Sequence, residues 1–333
     1  MRTTESITLR SFAACAALLA GLCAASAAAE GPADESYPAR TIRFIVPFAA
    51  STPVDMLARV AAQKLSAAWH SPVIVENREG AGGTIAVSQV VKAAPDGYTL
   101  LFTPDLPIVI GPAVTKTPYD PRKDLAPIGA VAQGVSVLVV NPSTGIKSIA
   151  ELIAAARAKP GMLTYASSGE GSTSRMCLEL IKHAVGIDIV HVPFKSASSA
   201  TQSVLSGEVS MFCSPLFQAL PGVRAHTLTA IGITGLRPTP ALPDVAPIAA
   251  QGLPDVTMVI WYAVFAPAGT APAIQRKVRD ALLAGFDDGE VRQRMTAAGL
   301  DPIWMDTAEM ERTIGADLDK WTRLAKEMGI AAQ

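Results

Sequence analysis

Charged residues and aromatic residues are both scarce in this 333-residue chain. Aromatic residues make up 5% of the sequence and charged residues 17%. The 28 Lys and Arg residues nearly balance the 29 Asp and Glu residues, and no block of like charge occurs. Nucleic acids and anionic membrane surfaces attract proteins with basic patches or segments. The composition therefore argues against both as partners.

The sequence also lacks the motifs of metal, nucleotide and hydrolytic chemistry. Its four His residues (70, 183, 191 and 226) do not have metal-ligand spacing, so we expect neither a metal nor a cofactor. The Gly/Ser-rich segments lack the third glycine of a dinucleotide fingerprint and the lysine of a Walker motif. No G-x-S-x-G elbow is present, and no His is identifiable as the partner of a nucleophile. We therefore expect a protein that is not an enzyme, with a secreted hydrolase as an alternative.

The first 29 residues have the pattern of a secretory signal peptide. Basic residues precede an uncharged run from Ser11 to Cys23, and Ala27 and Ala29 match an A-x-A cleavage signal. The run is short for a membrane span. Cys23 would permit a lipid anchor, but the residue before it is bulky. We therefore exclude residues 1–29 from the fold and expect the mature protein in the periplasm.

Two of the four cysteines lie in this N-terminal segment, which leaves Cys177 and Cys213 in the mature chain. In an oxidising compartment these two can form a disulfide. Two unpaired thiols in an apolar core fit the sequence equally well. The sequence leaves both possibilities open.

Strands and helices alternate through most of the mature chain, which is typical of parallel sheets covered by helices. Strands are predicted at residues 41–48, 72–77, 98–103, 134–141, 163–166, 187–192, 209–212, 227–233 and 257–266. Helices are predicted from residue 53, at 85–94, 149–158, 175–183 and 197–205, after residue 215, and at 272–286, 288–298 and 307–328.

These elements predict an α/β fold with two domains, each a mostly parallel sheet flanked by helices. The first domain would comprise residues 37–136 and 257–333, and the second residues 137–256. The chain would cross between the domains twice, and two crossings form a hinge.

The segment from Phe44 to Asp55 leads from an apolar strand through a short loop into a helix. Thr52 suits the N-cap and Pro53 the first helical position. Such a loop directs free backbone N–H groups and the positive end of the helix dipole at one point, which attracts an anion. The loop has the hydroxyls of Ser51 and Thr52 but no Lys or Arg, so a small carboxylate fits better than a nucleotide polyphosphate. A capping box formed by Thr52 and Asp55 explains the same residues without a ligand.

A second loop, residues 167–174, repeats this arrangement of strand, hydroxyl-rich turn and helix N-terminus. A flexible connection explains this loop alone. Two such loops in separate α/β units are more readily explained if they face each other across a cleft, because ligand sites are common between domains.

Short motifs along the whole mature chain carry a family resemblance. They include Ile45-Val-Pro-Phe48, Val75-Glu-Asn-Arg78, Gly80-Ala-Gly-Gly83, Ala94-Pro-Asp-Gly-Tyr-Thr-Leu-Leu101 and His191-Val-Pro193. In this order the sequence resembles the extracytoplasmic solute-binding receptors of tripartite tricarboxylate transporters, also called Bug receptors. The resemblance implies a hinged, two-domain periplasmic-binding-protein fold (type II, Venus-flytrap) with a small carboxylate in the cleft.

The resemblance and the two loops together give the expected ligand-binding residues. They are Phe48, Ala50, Ser51, Thr52, Asp55 and Thr103 in the first domain, and Ser167, Ser168, Gly171, Ser172, Thr173, Arg175 and Ser214 in the second. The family implies a monomer that delivers its solute to the membrane permease subunits of a tripartite transporter. A ligand-presenting subunit for a membrane signalling partner is an alternative that uses the same capture chemistry.

Three positions depart from the family pattern. Ser51 and Thr52 stand where Gly-Gly is usual, so their Cβ atoms occupy space that a ligand or a bridging water would use. Arg175 stands where the family often has His, and Ser214 where many members have an acidic residue. A gained guanidinium and a lost carboxylate both favour a more anionic ligand.

Overall fold

The structure is a computed structural model that describes residues 37–50, 52–169 and 172–330. The predicted signal peptide and the ligand predictions for Ser51 and Gly171 lie outside these residues. The described residues 37–39 belong to one unit and the residues from Arg40 onward to another. The described part of the first unit, residues 37–39, contains the cis peptide between Tyr37 and Pro38. The fold described below is that of the second unit.

Ten strands pair into one mixed sheet. They are β1 (Ile42–Val46), β2 (Val73–Asn77), β3 (Thr99–Pro104), β4 (Leu125–Val140), β5 (Thr164–Ser167), β6 (Val190–Pro193), β7 (Met211–Pro215), β8 (Thr229–Ile233), β9 (Val259–Pro267) and β10 (Leu300–Met305). The strand order is β2-β1-β3-β9-β4-β7-β5-β6, and β8 and β10 also pair with β4.

Helices cover the sheet. They are α1 (Pro53–Trp69), α2 (Thr84–Val91), α3 (Ile149–Ala158), α4 (Thr173–Val185), α5 (Ala197–Leu205), α6 (Leu216–Arg224), α7 (Pro272–Phe286), α8 (Gly289–Ala297) and α9 (Thr307–Glu327). Short helical turns lie at Ala81–Gly83, Leu106–Ile110, Gly111–Val114, Pro121–Asp124, Pro142–Thr144 and Ala249–Gln251. In the described part of the chain, no helix combines the length and the apolar character that a membrane span requires.

Two groups of parallel strands are joined by antiparallel ones. β1 runs parallel to β2 and β3, and β5 runs parallel to β6 and β7. The 16-residue strand β4 changes partners along its length: residues 125–135 pair with β9, and residues 136–140 pair with β7 and β8. Each half of β4 therefore serves a different group of parallel strands.

The apolar periodicity of α1 has the predicted consequence. Five side chains at helical spacing lie against the sheet and are at most 2% exposed: Val54, Leu57, Ala58, Ala61 and Leu65. Since these residues share one face of the helix, their burial fixes the orientation of α1 and the point at which the loop after β1 enters it.

The sequence prediction was wrong about the start of β4 and about β10. β4 begins at Leu125, nine residues before the predicted strand, because register shifts at Pro127/Gly129 and Ala130/Ala132 let the strand accommodate proline and glycine. β10 lies between two predicted helices, in a segment where no strand was predicted. Its Asp301-Pro302 pair interrupts the apolar pattern that would indicate a strand.

α9 begins at Thr307, as predicted. Its N-cap is Asp306, whose carboxylate accepts the Glu309 N–H at 2.8 Å. Aspartate is among the strongest N-cap residues.

Cys177 and Cys213 form a disulfide between α4 and β7, with their Cα atoms 6.3 Å apart. Both side chains are fully buried. The bond ties the helix that follows the second loop to the strand that ends at Ser214 and Pro215.

Candidate functional site

The strand registers bring the carboxyl ends of both parallel groups toward the middle of β4. β3 runs antiparallel to β9, and β9 runs antiparallel to β4 with Val259 paired with Val135. In the other group, Pro215 at the end of β7 pairs with Ser136, and β5 runs parallel to β7. The loops after β1 and β5 therefore lie at strand ends that face each other across residues 135–136.

The loop after β1 is held by a buried carboxylate. Asp55, which is 3% exposed, accepts two hydrogen bonds from the Arg59 guanidinium at 2.9 Å and one from Asn77 Nδ2 at 3.0 Å. The same Asn77 nitrogen lies 2.8 Å from the Phe48 carbonyl. The hydrogen bond to Asp55 in turn raises the pKa of Arg59. These contacts make Asp55 a support for the first loop, and its contact with a ligand stays a prediction.

Thr52 is the N-cap residue of α1, but its side chain does not cap the helix. Its hydroxyl donates to the Ala49 carbonyl at 2.7 Å, which tightens the loop instead. The predicted capping box with Asp55 is therefore wrong, because both side chains are engaged elsewhere. The glycine turn after β2 packs against this loop: a Cβ on Gly83, whose φ is +96°, would lie 3.1 Å from Pro47. Only glycine fits such a backbone at that distance.

A buried acid that the sequence reasoning missed follows the end of β3. Thr103, a predicted ligand residue, is fully buried, and its hydroxyl donates to the Pro104 carbonyl at 3.0 Å. Two residues on, Asp105 is 4% exposed, and its Oδ1 has no hydrogen-bond partner among the described residues. Burial and the nearby charge of Asp317 raise the pKa of Asp105 well above its ordinary value. Asp317 itself accepts the indole N–H of Trp261 at 3.1 Å.

The second loop is a compact network of serine hydroxyls. Ser172 is the N-cap of α4: its Oγ accepts the Arg175 N–H at 3.3 Å and lies 2.7 Å from the Gly169 carbonyl. Ser174 Oγ accepts the Ser168 N–H at 3.1 Å. The first-turn N–H groups of a helix, here including those of Thr173 and Ser174, have no intrahelical carbonyl to bind. The loop thus combines an ordered turn with a helix N-terminus that can receive an anion.

His191 lies directly beneath this loop. Its Nε2 is 2.7 Å from Ser167 Oγ, and its ring stacks on Tyr165 with the centroids 4.9 Å apart. Ser167 is fully buried, so this serine and histidine do not form an accessible nucleophile pair. No sequence motif predicts this contact, because the two residues are 24 positions apart on neighbouring strands.

The predicted ligand residue Arg175 belongs to a charged network under α4. The Tyr165 hydroxyl bonds to Glu179, and Lys182 Nζ lies 3.2 Å from the same carboxylate. Burial and Glu179 raise the pKa of Tyr165, whereas the Arg175 guanidinium lies close enough to oppose that rise. The positive charge of Arg175 therefore acts on this network, and its contact with a ligand stays a prediction.

Ser214, the last predicted ligand residue, is fully buried in β7 beside Val137 of β4. Its hydroxyl lies 3.2 Å from the Pro215 carbonyl. All the predicted residues that the structure describes thus lie at or next to the facing strand ends. Those that are half-buried or exposed are Phe48, Ala50, Thr52, Ser168, Thr173 and Arg175.

Sequence comparison identifies the family. Residues 57–330 match the family described as the tripartite tricarboxylate transporter family receptor. Protein BugT of Bordetella pertussis is 32% identical over 312 residues, which cover 93% of this chain and 96% of BugT. An uncharacterised protein from the region upstream of gbd in Cupriavidus necator is 31% identical over 320 residues, covering 94% and 96%.

Solved structures have the same fold. A Rhodopseudomonas palustris protein solved with adipate superposes with a TM-score of 0.82 at 30% identity, covering 89% of this chain and all of that protein. The periplasmic binding protein BugD gives a TM-score of 0.79 at 28% identity, covering 89% and 100%. MatC from R. palustris with bound malate gives 0.77 at 28% identity, covering 86% and 99%.

The mixed α/β fold of the chain is therefore that of the two-domain periplasmic binding proteins, and the predicted family resemblance is confirmed. The family consists of solute-binding receptors and not of enzymes, which agrees with the prediction of a non-enzymatic protein. The chain belongs to the tripartite tricarboxylate transporter family of receptors, as a periplasmic solute-binding protein.

Proposed function

We propose that this receptor captures a small dicarboxylate between the loops after β1 and β5 and delivers it to the membrane permease of a tripartite transporter. The observation that carries the proposal is the strand register, which directs two loops, each opening a helix, toward the same space beside residues 135–136. Ligands of open α/β sheets bind outside the carboxyl ends of the strands.

The chemistry of the two loops suits one carboxylate each. At the first loop, the helix begins with Pro53, so the available first-turn N–H groups begin at Val54. At the second, the first-turn N–H groups of Thr173 and Ser174 open the helix after the loop. Two helix N-termini at opposite ends of a cleft favour a solute with negative charge at both ends. The added charge of Arg175 and the absence of an acid at Ser214 favour the same class.

The solutes of two similar structures support this class. The R. palustris protein similar in structure to this chain holds adipate, and MatC holds malate. Both compounds are dicarboxylates of different chain length. We therefore infer the charge pattern of the solute and not its skeleton.

Capture would proceed by closure of two domains, 37–136 with 257–333 against 137–256. The change of partner along β4 between Val135 and Ser136 supports a hinge there, with β9 entering the first domain close by. A solute that binds both loops has a higher affinity for the closed form and shifts the population toward it.

A thermal-shift screen tests the proposal. The mature protein is unfolded and refolded to remove any carried ligand, and then mixed with adipate, malate, other dicarboxylates, citrate and monocarboxylates. Adipamide, the neutral diamide of adipate, is the matched control ligand. A dicarboxylate at about 1,000 times its Kd stabilises the protein by roughly 4 kcal/mol, which gives a shift of several degrees.

Two serine variants locate the site. Ser168→Ala removes a hydroxyl of the second loop and should reduce the dicarboxylate shift. Ser143→Ala is the matched control, because Ser143 is exposed and lies in the turn after the C-terminal end of β4, outside both loops of the site. A shift with adipamide equal to that with adipate, or no shift with any carboxylate, would contradict the proposal.

A further inference from the structure

The hydrogen bonds around Ser167 determine where its hydroxyl proton points. Ser167 Oγ accepts the Gly169 N–H at 3.2 Å, so its own proton goes either to His191 Nε2 at 2.7 Å or to the Gly169 carbonyl at 3.3 Å. The Gly169 carbonyl already accepts the Ser172 hydroxyl at 2.7 Å and the Ser172 N–H at 3.2 Å. A carbonyl oxygen has two lone pairs, so Ser167 donates to His191.

This arrangement requires a neutral imidazole, with its proton on Nδ1. Among the described residues, the groups that act on His191 are Tyr165 on β5 and Arg175, Glu179 and Lys182 on α4. Burial and the Arg175 charge both lower the pKa of His191, and Glu179 opposes them. Burial beside a cation thus favours the neutral ring, which is the form that accepts a hydrogen bond.

Protonation would reverse the bond. A charged His191 donates from Nε2, so Ser167 Oγ would have to accept both that proton and the Gly169 N–H. The Ser167 proton would then have only the Gly169 carbonyl available, where Ser172 already occupies both lone pairs. Ser172 would lose one of its bonds to Gly169, and Ser172 is the N-cap of α4. A single proton on His191 therefore disturbs the cap of the helix whose N-terminus faces the solute.

We propose that His191 is a positioning residue for solute capture, which holds the second loop in its binding form through Ser167 and does so only as a neutral imidazole. The solute part of this inference rests on the proposed function. The loop part does not, since it concerns only contacts within the ligand-free protein.

Amide hydrogen exchange in the ligand-free, ¹⁵N-labelled mature protein tests the loop part at about pH 5 and about pH 8, the range in which histidine titrates. Each rate is corrected for the intrinsic pH dependence of exchange. In the wild type, protection of the Ser172 and Arg175 amides should fall at the lower pH by about fivefold, the effect of losing one hydrogen bond. In His191→Gln, whose side chain reaches the Nε2 position but does not titrate, protection should be independent of pH. His183→Gln, an α4 surface variant, should behave as the wild type does.

The same proteins are then titrated with adipate and with malate at both pH values. Affinity should weaken in acid for the wild type and His183→Gln, and by much less for His191→Gln. Equal pH profiles of amide protection in the wild type and His191→Gln would overturn the inference. If neither solute binds at either pH, the proposed dicarboxylate class fails, while the exchange data still decide whether His191 holds the loop.

Discussion

Ser136 and Thr234 bind each other at the point where β4 changes partners. The Ser136 N–H donates to Thr234 Oγ1 at 2.9 Å, and the Thr234 N–H donates to the Ser136 carbonyl at 2.9 Å. The Thr234 carbonyl in turn accepts the Met258 N–H, just before β9, at 2.9 Å. Thr234 is fully buried. Through these bonds it joins the two segments that we propose as the hinge, namely β4 at Ser136 and the chain that enters β9.

Replacing Thr234 by valine should destabilise the protein. The variant keeps the shape of the side chain but leaves the buried Ser136 N–H without its acceptor, which costs about 1–3 kcal/mol. The free energy of unfolding from urea titration measures the effect. Thr234→Ser keeps the acceptor and is the matched control. If serine and valine destabilise the protein equally, the hydroxyl bond is not what stabilises this point.

The Cys177–Cys213 disulfide should contribute substantially to stability. The bond closes a loop with a sequence separation of 36 residues. Constraining such a loop in the unfolded chain corresponds to roughly 4 kcal/mol in the chain-entropy model. Cys177→Ala/Cys213→Ala should therefore unfold at a lower guanidinium concentration than the oxidised wild type. Two titratable thiols in the unreduced, denatured wild type would contradict the assignment.

Asp55 and Asn77 should act together on the first loop. In Asp55→Ala, Asn77 loses its hydrogen bond to Asp55, which helps to hold the Asn77 amide against the Phe48 carbonyl. The loss of buried hydrogen bonds costs about 1–3 kcal/mol. If Asp55 only supports the loop, Asn77→Ala should weaken solute binding as much as Asp55→Ala does. Calorimetric titration measures both affinities. Intact binding in Asn77→Ala, combined with lost binding in Asp55→Ala, would instead show that Asp55 contacts the solute.

Asp105 should make the protein less stable as the pH rises. Its pKa in the folded protein is raised by burial and by Asp317, so the folded state binds more protons than the unfolded state above the ordinary Asp pKa of about 3.9. This contribution is fully present below that value and is lost as the pH rises through the raised pKa. Lys320 near Asp317 and Tyr262 near Asp105 are the other titratable groups of this cluster.

Asp105→Asn should remove this dependence, because the amide stays neutral at every pH. We expect the variant to have a higher Tm than the wild type at about pH 8, and a smaller or no advantage at about pH 4, where the native acid is also neutral. Thermal unfolding at both values measures the difference. A lower Tm than the wild type at the higher pH would show that the charged carboxylate stabilises the fold.

The sequence predicted the elements whose apolar pattern is regular. The bounds of α3, α5 and α7 agree with their predictions, and the burial of α1 follows its helical spacing. β4 was predicted only in its second half, since Pro127, Gly129 and Gly134 interrupt the pattern of its first half and are accommodated by bulges and pairing to β9 and β10. The loops of the site were predictable because each joins an apolar strand to the start of a helix.

The contacts that organise the site were not predictable, because they join residues far apart in the chain. Ser167 meets His191 on a neighbouring strand, and Asn77 at the end of β2 meets Asp55 in the first turn of α1. Asp105 belongs to no recognisable sequence motif either, since only its burial near Asp317 distinguishes it from a surface aspartate. Such pairs depend on strand order and helix packing, which local patterns do not encode.

The central claim, that a solute is captured between the two loops by closure, is tested most directly by a distance measurement across the cleft. Ile85 in the first turn of α2 and Leu236 after β8 lie at the facing ends and are 52% and 71% exposed, so both positions accept spin labels after replacement by cysteine. Cys177 and Cys213, the cysteines of the mature chain, are paired and buried, so they do not react with the label. Double electron–electron resonance measures the distance between the two labels. This distance should be shorter with the dicarboxylate identified in the thermal-shift screen than in the ligand-free protein. A stabilising solute that leaves this distance unchanged would contradict capture between the loops.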